Sequence, residues 1–322
     1  MGECVELAPG LNPVESAGEA SRPPQPVRAL NRLFRRRRAV GLFSLLSPPV
    51  FWMLVVYVGS LILLVVSAFF ALDPVSQKPT TAFTTDNITS ALTDSSATRL
   101  FLQTVVIASV VTVACVLIAV PTAFFIAKIA PRWMRRGLMV SILLPLWAGY
   151  MVKTYAWRAM VSPAGGNQFA AEGRGGGGFL QSVLGWTPGY SKTAVVIALI
   201  YLWLPYMVLP IYAGLERLPT SLLDAAGDLG AKPMRTFRSV IMPLLLPSIA
   251  AGSIFTFSLS LGDYILPRLV VDGKERVMFG ELINSTLGAP NQPLAAAYTI
   301  WPLIMIILYL LAVKRAGAFD NL

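Results

Sequence analysis

Two small sets of residues in this 322-residue chain have types and spacing that suit chemistry. The first is Asp224-Ala225-Ala226, then Gly230, then Val240-Ile241-Met242-Pro243. One acid, two residues with almost no side chain and a glycine do not make a reaction centre. They make a surface on which another protein can approach the backbone closely. The second set is Asp263-Tyr264, with Tyr155 and Trp157 earlier in the chain. Asp263 stands at the end of an apolar run, where an acid is costly in lipid and faces a cavity or a partner. Two tasks are open to it. It lines a path for a solute, or it caps and staples helices, with Lys153 or Arg268 as its partner.

Composition excludes much else. The chain has no His, so imidazole acid–base catalysis and His metal ligation are out. Cys4 lies in a polar tail and Cys115 in an apolar run, so no disulfide framework is expected. Cys115 reads as a small buried hydrophobe. No G-x-x-x-x-G-K-[ST] occurs, so the chain shows no ordinary means of hydrolysing ATP. The run Gly173-Arg174-Gly175-Gly176-Gly177-Gly178 lacks a following Lys-Ser/Thr and reads as a flexible linker. Asn87-Ile88-Thr89 fits a glycosylation acceptor, a match frequent by chance. No catalytic residue, metal or cofactor is expected.

The elements that must position both sets are membrane helices. The chain is 55% hydrophobic and 13% charged, with mean hydropathy +0.66; soluble domains are about 25% charged. Uncharged stretches run 39–72, 101–127, 137–152, 193–215, 239–262 and 282–313. A spanning helix needs about 20 apolar residues, so these predict six spans. Pro48-Pro49 and Pro290/Pro293 mark the starts of the first and last, leaving 50–71 and 294–313. The third is short, and Lys153 must snorkel or face a partner. Residues 1–27 are polar and read as disordered, without the apolar core of a cleavable signal. Residues 27–38 are basic with interleaved apolar residues and suit the membrane interface. The domain reading is thus a 1–38 tail, a 39–315 helical domain and a 316–322 tail.

Basic residues orient the spans. Arg35 to Arg38 precede the first; Lys128, Arg132, Arg135 and Arg136 link the second and third; Arg217, Lys232, Arg235 and Arg238 link the fourth and fifth. Lys314 and Arg315 follow the last. The positive-inside rule then puts both termini and the Asp224 loop in the cytoplasm. The net charge of +10 sits at segment ends, as orientation requires, and does not call for nucleic acid.

The Asp224 loop is long for a connector, about 25 residues from Glu216 to Val240. It carries its own helix punctuation. Leu218-Pro219-Thr220-Ser221 is a start signal, with Ser221 and Asp224 in S-x-x-D spacing like a capping box. Gly230 stands where a helix C-terminal glycine belongs, and Pro233 suits the first turn of a second helix.

This loop resembles the cytoplasmic "EAA" loop of importer-type ABC permeases, with Asp224 for Glu, Val240 for Ile and Met242 for Leu. Two further segments resemble the spermidine/putrescine branch of that family. Pro145-Leu146-Trp147 followed by Lys153-Thr154-Tyr155-Ala156-Trp157 matches its third helix. Ser260-Leu261-Gly262-Asp263-Tyr264-Ile265-Leu266-Pro267 matches the outer end of its fifth. The resemblance covers about residues 40–315. It implies an all-α bundle of six transmembrane helices of the type I ABC importer permease kind, in a bacterial inner membrane. It implies an ABC ATPase dimer docked at Asp224, Ala225, Ala226, Gly230, Val240, Met242 and Pro243. It further implies a second permease subunit (a related chain or a copy), an extracytoplasmic substrate-binding protein, and polyamine cargo. Polyamines are polycations, so a path offering Asp263, Tyr264, Tyr155 and Trp157 would bind them by charge and cation–π attraction. A permease for another small solute is the alternative. An ion-coupled secondary transporter is disfavoured, because charges within the spans are almost absent.

Overall fold

The computed structural model describes residues 38–73, 79–163, 178–271, 275–288 and 291–315. The expectations for tail 1–37, for the glycine run 173–177 and for tail 316–322 lie outside these residues. The chain divides into two units, 1–63 and 64–322.

Helix α1 (Arg38–Met53), in the first unit, continues through a π-helical turn, Leu54–Val58, into helix α2 (Gly59–Ser67), whose last residues fall in the second unit. Leu45–Ser67 is apolar and long enough to span, with mean hydropathy 2.5. Pro48 and Pro49 do not start this helix; both lie inside α1. A proline costs a helix about 3 kcal/mol. Ending the helix in lipid would leave several backbone groups unpaired, each costing as much, so the helix continues.

The second unit continues with a small antiparallel ribbon, β1 (Phe70–Leu72) and β2 (Pro79–Phe83), which the all-α expectation lacked. Asn87 Nδ2 donates to the carbonyls of Ala68 and Phe70, at 3.0 and 2.9 Å. The amide of the acceptor sequon is thereby committed to holding the ribbon against α3 (Asp86–Thr93). Helix α4 (Ser95–Phe124) is N-capped by Asp94, whose Oδ1 accepts from the Ser96 and Ala97 amides. A π-helical turn, Phe125–Ile129, ends it.

Helices α5 (Arg132–Trp147) and α6 (Tyr150–Val161) follow, with axes bent by 97°. The continuous third span expected over 137–152 is therefore broken. Ala148 and Gly149 both adopt extended backbone, ψ 133° and 143°, which interrupts the helical ladder. Helix α5, with 16 residues, is about 24 Å long at 1.5 Å per residue.

The remaining elements are α7 (Phe179–Leu184), α8 (Lys192–Arg217), α9 (Thr220–Asp228), α10 (Pro233–Thr236) with a π-helical turn Phe237–Ile241, α11 (Met242–Leu261), α12 (Ile265–Val270), α13 (Phe279–Leu287) and α14 (Gln292–Arg315). Pro293 stands at the second position of α14, close to the expected start. Five helices among the described residues are long and apolar enough to span, and six spans result if the bent pair counts as one.

Helices α4, α8 and α11 form the core. Val111, Cys115 and Ala119 pack with Leu199, Met207, Ile211 and Leu245, all fully buried. Lipid offers no hydrophobic driving force between helices, so close approach of small residues holds such a seam. A Cβ on Gly252 would lie 2.7 Å from Met207 Sδ and 3.2 Å from its Cα.

Candidate functional site: the loop between α8 and α11

The loop begins where α8 ends, and neighbours clamp that end. Lys128 Nζ donates to the Leu218 carbonyl at 2.9 Å, satisfying an acceptor the helix leaves unpaired. Arg135 Nη2 donates to Glu216 at 2.6 Å. Pro219 then takes the N-cap of α9 with extended backbone, and no side chain caps the helix. The capping box read from Ser221 and Asp224 is absent. Leu218 precedes a proline and is held extended, φ −70° and ψ 118°. The helix therefore starts at Thr220, which leaves Ser221 one residue inside it.

The C-terminus of α9 closes as the glycine spacing requires. Gly230 has φ +71°. The Gly230 amide donates to the Gly227 carbonyl at 2.8 Å, and the Ala231 amide to the Ala226 carbonyl at 3.0 Å. This pair of reversed bonds is a Schellman turn. No heavy atom lies within 4 Å of a Cβ built on Gly230, so the backbone conformation, not space, requires glycine. Pro233 opens α10 at its first turn, as expected.

Asp224, Ala225, Gly230 and Pro243 are exposed, while Ala226, Val240 and Met242 are half-buried. The sequence reading missed two residues on this surface. Leu229 is 88% and Met234 75% exposed, both on the α9–α10 turn. Their signal was available, since large apolar residues in a polar loop have no core to enter. Beside them an apolar cavity of about 900 Å³ is lined by Phe124, Phe125, Gly227, Ala231, Met234 and Met242.

The second set is not gathered as expected. Asp263 is 7% exposed. Its carboxylate accepts from the Tyr150 hydroxyl at 2.5 Å and from the Ile265 and Leu266 amides at 3.1 and 3.3 Å. Neither Lys153 nor Arg268 staples it; Tyr150 does, and Asp263 caps the start of α12. Tyr150 in turn stacks on Trp203, with centroids 6.1 Å apart. Trp157 meets Tyr201 at 5.5 Å. Tyr155 is 57% and Tyr264 38% exposed. Trp203 Nε1 and Ser260 Oγ are buried without a hydrogen-bond partner among the described residues. Tyr150 and Trp203 escaped the sequence reading, because both look like ordinary apolar-helix aromatics.

The family model for "Binding-protein-dependent transport system inner membrane component" matches residues 117–316. The chain belongs to this family. It is an inner-membrane, multi-pass permease subunit of an ABC importer with the type I permease fold, and ATP is hydrolysed by a separate subunit. It is 42% identical to the inner membrane ABC transporter permease protein YdcU of Escherichia coli (strain K12), over 90% of this chain and 94% of that one. It is 31% identical to the spermidine/putrescine transport system permease protein PotB of the same organism, over 74% and 84%. The molybdenum transport system permease protein ModB of Mycobacterium bovis is 34% identical, over 53% and 61%. Among solved structures, a bacterial alginate ABC transporter with its periplasmic protein aligns at TM-score 0.63 and 13% identity, covering 88% of this chain and 96% of that one.

An ABC importer permease works with an ATPase and a substrate-binding protein. The α9–α10 loop is hydrogen-bonded at both its ends. It displays the apolar side chains of Leu229 and Met234 on its exposed surface.

Proposed function

We propose that the loop 216–242 is the cytoplasmic docking element of this permease. In that reading α9 enters a groove on an ABC ATPase dimer, with Asp224, Ala225, Ala226 and Gly230 at the contact and Val240, Met242 and Pro243 joining it to α11. The observation that carries the reading is the Schellman-closed helix α9, whose exposed face ends in Leu229. Both termini would then be cytoplasmic. A second permease subunit, a related chain, completes the membrane pore, and a binding protein delivers cargo from the other side.

We propose polyamines as that cargo. Similarity to PotB over three-quarters of the chain supports this, together with aromatic surfaces at Tyr155, Trp157 and Tyr264. Asp263 contributes by holding Tyr150 and α12 in place at the pathway's outer end. A permease for another small solute is the second reading, favoured by the three donors already occupying Asp263 and by the likeness to ModB.

The test is a mild-detergent pull-down of the tagged chain from its native membrane, followed by uptake of radiolabelled spermidine and putrescine in vesicles holding the recovered complex. Recovery of an ABC ATPase and a second permease, with saturable ATP-dependent uptake, supports both proposals. Recovery without polyamine uptake turns the cargo toward the second reading. Recovery of the chain alone rejects the docking role.

A further inference from the structure

Helix α5 is fastened at its start and, across the bend, by the first residue of α6, and little holds it between. At the α5 end, Arg135 Nη2 donates to Glu216 Oε1 at 2.6 Å and Arg135 Nε to the Tyr212 hydroxyl at 2.7 Å. The guanidinium also lies 5.4 Å from the Tyr212 ring centroid. Tyr212 and Glu216 stand one turn apart at the end of α8, directly before the docking loop. At the bend, Tyr150, the first residue of α6, donates to Asp263 at 2.5 Å. Arg158 donates to the Leu269 carbonyl of α12 and lies over the Tyr190 ring at 5.2 Å. Between the two attachments, Trp147 is 91% exposed, and among the described residues a Cβ on Gly149 would meet only Val152, at 4.0 Å. Helix α5 has no fully buried residue.

The rest of the bundle is built differently. Besides the Gly252–Met207 approach, a Cβ on Gly214 would lie 2.2 Å from Ser248 Oγ and 3.0 Å from its Cβ. Helices α8 and α11 therefore touch at two levels, and sliding one past the other would break close packing. Packed cores of this kind are bistable rather than deformable. A displacement of α9 has two routes open: rigid movement of the packed core, or the lightly packed α5.

We infer that α5 is a lever that carries movement of the Asp224 loop to the bend and through it to α6, with Arg135 and Tyr150 as positioning residues at its two attachments. This rests on the docking role proposed above. The two attachments differ in kind. Arg135 and Glu216 are 29% and 56% exposed, and ion pairs in that setting are worth about 0–1 kcal/mol. Such a pair can re-form as its partners move. Asp263 is buried and triply bonded, so its end of the lever is the fixed one.

The test uses the assembled complex in right-side-out vesicles. Cys4 and Cys115 are replaced by Ser and Ala, and a reporter is introduced by Ala156→Cys on α6. Labelling by a membrane-impermeant maleimide is timed with the ATPase nucleotide-free and trapped with ATP and vanadate. The parent should show a labelling rate that depends on nucleotide. Arg135→Gln and Tyr150→Phe should each lower that dependence to less than half. The charge exchange Arg135→Glu with Glu216→Arg should restore it, which a merely structural role for Arg135 does not require. It also decides the matter if Arg135→Gln fails to assemble. An undiminished dependence in Arg135→Gln and Tyr150→Phe overturns the lever. No dependence in the parent overturns the lever, while the docking role is rejected separately if the ATPase is not recovered with the chain.

Discussion

Tyr150 and Asp263, 113 residues apart in the chain, share a 2.5 Å hydrogen bond that joins α6 to the turn after α11. The bond places an aromatic ring parallel to Trp203 and leaves the buried carboxylate fully partnered. A hydrogen bond to a charged group contributes about 1.5–3 kcal/mol. Tyr150→Phe and Asp263→Asn should each lower the melting temperature of the purified chain. The double variant should lose much less than the sum, because the two changes remove one shared bond. Additive losses in a double-mutant cycle would show that the two side chains are not coupled. If Asp263 serves only as cap and staple, Asp263→Asn should slow uptake no more than its stability loss explains.

Gly230 carries a left-handed backbone in otherwise open space. Gly230→Val should cost about 1–2 kcal/mol locally by forcing that conformation on a branched residue. Gly230→Asn should be tolerated, since Asn adopts it readily. Neither change touches the membrane core. The expected outcome for Gly230→Val is normal membrane insertion with loss of ATP-driven uptake, measured in vesicles beside the Asn variant. Equal uptake by both would show that the turn does not set the coupling geometry.

Glu281, 6% exposed, accepts from the Val277 and Met278 amides at 2.6 and 2.9 Å. Burial raises its carboxyl above the ordinary 4.5, while the two amides, Arg276 and Arg268 pull it partly back. A raised folded value means that the folded state binds the proton more tightly than the unfolded one. Its stabilising effect is complete below 4.5 and is lost as pH rises through the raised value. Glu281→Gln keeps an oxygen for both amides and removes the titration. The variant should gain in melting temperature relative to the parent at pH near neutral, and the gain should vanish toward the ordinary carboxylate range. A difference that does not change with pH would show that Glu281 does not titrate. Asp94, held below its ordinary 3.8 by Ser96 first, is present in both proteins and cancels in the comparison.

Gly252 lies against the Met207 backbone where α8 and α11 pack. Replacing a helical glycine with alanine is ordinarily worth about 1 kcal/mol in favour of the helix. Here Gly252→Ala should destabilise, because the added Cβ meets Met207 Cα and O at 3.2 and 3.3 Å, and backbone cannot rotate away. Gly214→Ala meets only the Ser248 side chain and Leu245 at the helix seam, so a Ser248→Ala background should recover part of its loss. Thermal melting of the four proteins decides both points, and a stabilising Gly252→Ala would refute the close approach.

The sequence by itself determined the class of molecule and the local shape of the loop between α8 and α11. Long uncharged stretches leave the backbone no option in lipid but helix, and the residues 193–215 and 239–262 reappear as α8 and α11 within a few positions. Gly230 and Pro233 dictate their turns through their own φ preferences, so the two-helix loop was legible without a partner. Local spacing misled at Ser221, where the rigid Leu218-Pro219 pair claimed the cap first, and at Pro48-Pro49, where lipid made breaking the helix costlier than keeping it.

Tertiary structure alone decided the bend at Ala148–Gly149 and the use of Asp263. Hydropathy sums over a window and cannot register two extended residues that turn one span into a right-angled pair. The choice among Lys153, Arg268 and Tyr150 as partner of Asp263 depends on which helix the bend brings alongside. That is fixed by packing between segments more than 100 residues apart in the chain, a distance over which no local pattern carries information.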